Sequence, residues 1–281
     1  MKLLDLKIQI TKQLSPHTDT PQLDADLLLM HALKKTRAEL LISLDDDLIE
    51  TRLIDSLVAR RVNSEPIAYI LGHQPFWKLD LIVTPDVLIP RPETECLVEW
   101  ILKKFSGKEN RSVADLGTGS GAIAVALAHE NKNWKIDAID ESYEALAVAK
   151  KNADKYHTNN ISFYQGDWCD ALPHKNYDVI VSNPPYIAEN DVHLEKLLYE
   201  PQSALVSGKK GLDAIEKITQ HAKKFLKPNG YLVIEHGFDQ ADTVFKLFKE
   251  MEFKDIQNHR DLSDISRFIT GNKRSPSQAS Y

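Results

Sequence analysis

Cysteine is nearly absent from this chain of 281 residues: Cys96 and Cys169 are its two, too few and too far apart for a disulfide framework or a thiolate zinc site. Both read as small buried hydrophobes in a reducing compartment. No apolar run reaches the length of a bilayer span, so no membrane insertion is expected. The start, Met1-Lys2-Leu3-Leu4-Asp5, lacks the long apolar core and small-residue cleavage site of a secretion signal, which makes a cytoplasmic location the expectation. Surplus positive charge is missing too. A formal net charge of −6 argues against a surface built to neutralise phosphates, so direct stable nucleic-acid binding is not expected, although a local basic patch is left open. Glycine does not occur before Gly72, and the chain has no internal repeat and no long low-complexity segment.

What is present divides into a helical first part and an alternating second part. Thr20-Pro21 supplies a helix start, and Leu23, Leu27, Leu28, Met30 and Leu33 follow at helical spacing, predicting a helix over 21–34. Similar patterns over about 2–14, 37–43 and 48–62 make 1–72 a small all-α domain. The run Phe76 to Val83 changes to partial two-residue alternation, and Thr84-Pro85-Asp86 punctuates it before Val87-Leu88-Ile89. A β-hairpin linker over 73–92 is expected there. From 93 to 272 the pattern is that of an α/β domain with a seven-stranded, mostly parallel sheet. Its strands are placed near 112–116, 134–139, 161–165, 177–182, 230–235, 254–259 and 266–270, the last two as an antiparallel pair ending the sheet. Residues 273–281 read as a flexible polar tail.

Asp115-Leu116-Gly117-Thr118-Gly119-Ser120-Gly121 leaves a strand, turns on three glycines and meets an apolar helix near Ala122. Such a loop lets a ligand approach bare backbone at a helix start; alternatively it is only a tight strand-to-helix turn. The second strand ends at Asp140, where a carboxylate can hold both hydroxyls of a ribose, or else cap the helix that Ser142 and Tyr143 begin. The spacing D-x-G-x-G-x-G favours S-adenosyl-L-methionine over a dinucleotide. After the third strand, Asp167 can accept from the adenine amino group and Trp168 can cover the base, though Trp168 fits a core position equally well.

The fourth strand runs directly into Asn183-Pro184-Pro185-Tyr186. An NH2 group needs acceptors, which the Asn183 side-chain oxygen and the Pro184 carbonyl can supply, and Tyr186 can stack on a planar acceptor while Pro185 stiffens the loop. His236 follows a strand and reads as a satisfied loop histidine, since no nucleophile or metal partner is visible near it and no metal is expected. Arg91 and Glu93 sit in a proline-bounded helix start, and either belong only to that helix entry or touch a ligand.

These elements together resemble the class I, Rossmann-like amino-methyltransferases, which act on adenine, guanine or glutamine nitrogens. The segments Glu65-Pro66-Ile67-Ala68-Tyr69-Ile70-Leu71-Gly72 and Val87-Leu88-Ile89-Pro90-Arg91-Pro92-Glu93-Thr94-Glu95 narrow the likeness. They resemble the peptide-chain release factor glutamine N5-methyltransferases, the HemK or PrmC family, as do Glu200-Pro201, Ala204-Leu205, Gly211-Leu212, Glu235-His236-Gly237, Asp261-Leu262 and Arg267. The resemblance implies that the acceptor is the glutamine amide of the Gly-Gly-Gln motif in bacterial-type class I release factors, and that the helical domain helps hold that protein. Two positions depart from the pattern: Lys210, where aspartate is frequent, and Asp264, where glycine is common. A nucleic-acid base methyltransferase and a non-catalytic adenosine-binding adaptor are the rival readings.

Overall fold

The structure, a computed structural model, describes residues 1–47, 50–107 and 109–275. It divides into two compact units, Met1–His73 and Gln74–Tyr281.

The first unit holds five helices: α1 (Leu3–Leu14), α2 (Pro21–Leu33), α3 (Arg37–Ile42), α4 (Arg52–Val62) and α5 (Ile67–Leu71). On α1 the buried positions are Leu3, Leu6, Ile10 and Leu14, a helical stripe that meets Leu28, Leu29, Leu40, Leu57 and Val58 in one core. Pro21 opens α2, but the Thr20 hydroxyl is spent on Asp24 Oδ1 at 3.0 Å. Asp24 also takes Arg61 of α4 at 2.6 Å, which ties the two helices through a buried ion pair. A capping box between Thr36 and Glu39 starts α3. The helix expected over 48–62 begins at Arg52, and residues 48 and 49 lie outside the described residues.

The hairpin is present, but its turn lies elsewhere than expected. Strands β1 (His73–Phe76) and β2 (Leu79–Ile82) are joined at Trp77-Lys78, and Val87 to Ile89 form no strand. Trp77 adopts a left-handed φ of 57°, a conformation rare for a bulky residue and not signalled by any glycine or asparagine. Asn152 anchors the second strand: its carboxamide accepts from the Ile82 N–H at 2.7 Å and donates to the Ile82 carbonyl at 2.9 Å.

The second unit is built on α6 (Glu95–Lys104), β3 (Ser112–Leu116), α7 (Ala122–Glu130), β4 (Lys135–Asp140), α8 (Tyr143–Lys155), β5 (Ile161–Gln165), β6 (Tyr177–Ser182), α9 (Asp213–Ala222), β7 (Leu226–Glu235), α10 (Ala241–Glu250), β8 (Lys254–Arg260) and β9 (Ser266–Asn272). Its seven strands stand in the order β5-β4-β3-β6-β7-β9-β8, parallel except for β9, which runs antiparallel to both neighbours. All six residues of β6 are buried, as a central strand covered on both faces requires. One apolar core around Leu97, Val125, Leu127 and Val181 and another around Ile139, Ile180, Ile215 and Ile234 sandwich the sheet. The strand order reverses beside β3, so the C-terminal tips of β3, β4 and β6 open a crevice between them, the usual place for a ligand in such a sheet. The final two strands pair as expected, yet β9 slips between β7 and β8. Asp264, in the turn joining them, adopts a left-handed φ of 61°, the backbone state that explains a preference for glycine at this point. Of the tail expected over 273–281, residues 276–281 lie outside the described residues.

Candidate active site

The glycine loop follows β3, and its shape is enforced from behind. Gly117, Gly119 and Gly121 all have positive φ, at 69°, 56° and 81°. A Cβ on Gly117 would come within 2.9 Å of the Trp168 ring, whereas one on Gly119 would meet nothing within 4 Å and would project into open space. Asp115 is 1% exposed and does not line the cleft; its Oδ2 accepts from the Thr118 hydroxyl at 2.7 Å and the Ala124 N–H at 3.1 Å. It therefore braces the loop against α7. Gly121 likewise sits behind the cleft, against Ala149 and Val125.

Asp140 ends β4 with its two oxygens already engaged, Oδ2 by the Gly119 N–H at 2.8 Å and Oδ1 by the Ser142 N–H at 3.0 Å. The cap of α8 itself comes from the Ser142 hydroxyl, which accepts from the Ala145 N–H at 3.0 Å. A carboxylate offers about four lone-pair sites, so Asp140 keeps capacity for two hydroxyl donors. Asp167 and Trp168 also line the cleft, Asp167 paired with Lys217 of α9 and Trp168 in a left-handed φ of 44° that turns its ring over the loop.

Gly117, Thr118, Gly119, Ser120, Asp140, Asp167, Trp168, Asn183 and Pro185 share this cleft, which opens to solvent. A second recess is lined by Asn183, Pro184 and Tyr186 together with Ile187 and Leu205. The two share Leu88, Arg91, Asn183 and Ala204, so Asn183 stands in their common wall. Arg91 is held there by Glu200, 2.5 Å away and nearly buried, whose other oxygen accepts from the Ile89 N–H at 3.0 Å. Glu93 does not line the cleft and stands 3.7 Å from Arg267.

Around the Asn183 loop the backbone leaves little freedom. The Ser182 hydroxyl donates to the Leu116 carbonyl at 2.6 Å and locks β6 to β3 just before the loop. Gln240 donates to the Tyr186 carbonyl at 3.0 Å, and a Cβ on Gly211 would fall 2.1 Å from the same oxygen. The Asn183 Nδ2 donates to the Thr94 hydroxyl at 3.1 Å. Tyr186 donates to Glu235 Oε1 at 3.4 Å, and its hydroxyl is pushed well above the usual range by burial and by the Glu235 charge. Thr94 and Glu235 fall in segments that carry the family resemblance, but neither has a site role that the sequence alone assigns. His236 is buried, with its Nδ1 2.7 Å from the Gly237 carbonyl. Among the described residues no cluster of His, Cys, Asp or Glu could hold a metal ion.

Burial pushes the Asp115 carboxyl up to about 7 against the pull of Thr118 and Ala124. An acid whose folded pKa is raised stabilises the fold fully below its unfolded value of 3.8, and that contribution is lost as pH rises through about 7. The melting temperature of the protein alone is accordingly expected to fall between about pH 4 and pH 7, with each lost kcal/mol costing roughly 2–4 °C for a unit of this size. Asp115→Asn should flatten that slope in thermal scans. An unchanged slope would mean the carboxyl titrates normally.

The chain matches two family models, Methyltransferase small domain over residues 93–208 and PrmC N-terminal domain over residues 5–72. A release factor glutamine methyltransferase from Coxiella burnetii is 48% identical over 268 residues, covering 94% of this chain and 96% of that protein. Another from Buchnera aphidicola is 41% identical over 261 residues, covering 92% and 94%. Among solved structures, a methyltransferase from Pyrococcus furiosus superposes with a TM-score of 0.55 at 18% identity, covering 77% of this chain and 98% of that one, which shows the common fold. With such relatives along nearly its whole length, the chain belongs to the release factor glutamine methyltransferase family.

Proposed function

We infer that this enzyme transfers a methyl group from S-adenosylmethionine to the side-chain amide nitrogen of a glutamine in a peptide-chain release factor, the Gly-Gly-Gln glutamine of the class I factors. The observation that carries this reading is the position of Asn183 in the wall common to the two recesses; we read the first as the place of the adenosine ligand and the second as that of the planar amide.

The residues present fit the cofactor. Gly119 leaves space where any side chain would intrude, Asp140 stands at the strand tip for the ribose, Asp167 and Trp168 flank the place for the adenine, and Thr118 and Ser120 complete the floor. S-adenosylmethionine supplies a methyl group on a positively charged sulfur, already activated for displacement by a nucleophile. The chain's own task is to present that nucleophile. An amide nitrogen is weak because its lone pair is delocalised into the carbonyl, so alignment and stabilisation of developing charge must lower the barrier. Asn183 Oδ1 and the Pro184 carbonyl each accept one hydrogen of the NH2 group, and both bonds strengthen as the nitrogen gains positive character. Tyr186 lies against the amide plane, and Pro185 holds the loop rigid between the two recesses. Nothing in this arrangement requires a general base; the proton that the methylated nitrogen sheds goes to water or to a transient acceptor.

The helical unit is assigned to holding the protein substrate. Its exposed apolar side chains Ile8, Leu41, Ile42 and Leu53 suit a protein partner better than a phosphate backbone. Incubation with labelled S-adenosylmethionine and purified release factors, DNA and RNA in parallel tests the acceptor. Label on the release factor glutamine, mapped by mass spectrometry, is the expected result; label on a nucleic-acid base with none on the factor would overturn the assignment.

A further inference from the structure

We infer that Thr94 sets the sense in which the Asn183 carboxamide is held, and that Glu235 behind it sets the sense of the Thr94 hydroxyl. The inference rests on the glutamine-amide reading of the acceptor. A carboxamide can be turned end for end at almost no steric cost, exchanging its oxygen for its NH2. Only one of the two senses can accept a hydrogen from an NH2 substrate; the other places donor against donor. Something beside Asn183 must therefore distinguish its oxygen from its nitrogen.

The Thr94 hydroxyl is that neighbour, 3.1 Å from Asn183 Nδ2 and itself 3% exposed at the end of the short helical turn Pro92–Thr94. A hydroxyl has a single hydrogen but two lone pairs, so what it does toward Asn183 depends on where its hydrogen goes. Glu235 ends β7 at 2% exposure; burial pushes its carboxyl up to about 7, the nearby Thr94 and Tyr186 hydroxyls pull it back, and its buried Oε2 is otherwise without a hydrogen-bond partner among the described residues. Once ionised, a carboxylate only accepts. The Thr94 hydrogen is thereby drawn to Glu235, the Thr94 lone pair is left for Asn183 Nδ2, and Asn183 Oδ1 is left for the acceptor amide. The same carboxylate takes the Tyr186 hydroxyl at 3.4 Å, so one buried group orients both side chains of the Asn183–Tyr186 loop. Thr94 and Glu235 touch neither the nitrogen nor the methyl group and are positioning residues.

Three variants separate this from a packing role. Thr94→Val keeps the shape and removes the hydroxyl, and should lower kcat for the release factor roughly tenfold while KM and the calorimetric affinity for S-adenosylhomocysteine stay within about threefold. Thr94→Ser should recover most of that loss. Glu235→Gln, whose NH2 can donate to Thr94 and free its hydrogen for Asn183 Oδ1, should resemble Thr94→Val. Independently of turnover, the Asn183 NH2 resonances in a 1H–15N spectrum, identified by their disappearance in Asn183→Ala, should shift in Thr94→Val and return in Thr94→Ser. Wild-type transfer to the glutamine amide is the control, and its failure overturns the acceptor reading alone. Normal kcat and unmoved Asn183 resonances in Thr94→Val, with wild type active, overturn the inference. Should Thr94→Val not fold, the same two readouts in Glu235→Gln decide the matter in the same way.

Discussion

Asn183→Ala is expected to slow single-turnover methyl transfer by about 10²–10³, or roughly 2.7–4 kcal/mol, with release factor and S-adenosylmethionine both saturating. The figure is that of removing one preorganised group that acts on the charge developing in the transition state; here the group accepts hydrogens from a nitrogen instead of donating them to an oxyanion. Asn183 lies in the wall between the two recesses and its nitrogen is already committed to Thr94, so deleting the carboxamide removes an acceptor and leaves the Thr94 hydroxyl pointing at an empty space. Cofactor affinity should change far less than rate, since the glycine loop and Asp140 are untouched. Near-normal transfer in a folded variant would remove Asn183 from the mechanism.

For Asp140→Ala the expectation is reversed: cofactor affinity falls by roughly ten- to a hundredfold, about 1.5–3 kcal/mol for the loss of a charged hydrogen-bonding group. The structure adds a second route to the same loss, because Asp140 also fixes the Gly119 N–H and with it the open point of the loop. Asp140→Asn separates the two contributions, since its oxygen can still accept from Gly119 while the charge is gone. Calorimetric titration with S-adenosylhomocysteine measures both. An alanine variant that is folded and binds as tightly as wild type would end the ribose assignment.

The central strands of the second unit were legible because they are short runs rich in β-branched and apolar residues between turn residues, and Val179-Ile180-Val181 leaves few alternatives. The glycine loop and the Asn183 loop were legible for the same reason: each follows such a run and begins where its periodicity stops. Pairing partners were not. That β9 lies between β7 and β8 depends on contacts across the sheet, which local periodicity does not encode. The hairpin turn escaped because Trp77 takes a left-handed conformation without the residue types that advertise one. Asp115 reads from sequence as a ligand contact, but a strand residue points to one face or the other, and its carboxylate turns inward to Thr118 and Ala124. Thr94 and Glu235 come together only through the folded sheet, and neither residue type is conspicuous where it stands.

Because β9 is the last of the described strands yet supplies the hydrogen-bonding partner of β7, synthesis and folding meet an ordering problem. A ribosome delivers β7 first, and until residues 266–272 emerge, that long strand presents an unpaired edge on which β8 cannot substitute in the native order. Phe268 is the register partner of Glu235, so the backbone that carries the buried carboxylate is fixed on one side by β9. A chain that ends before residues 266–272 would leave the β7 edge unpaired, the kind of exposed edge that favours pairing with other chains over folding.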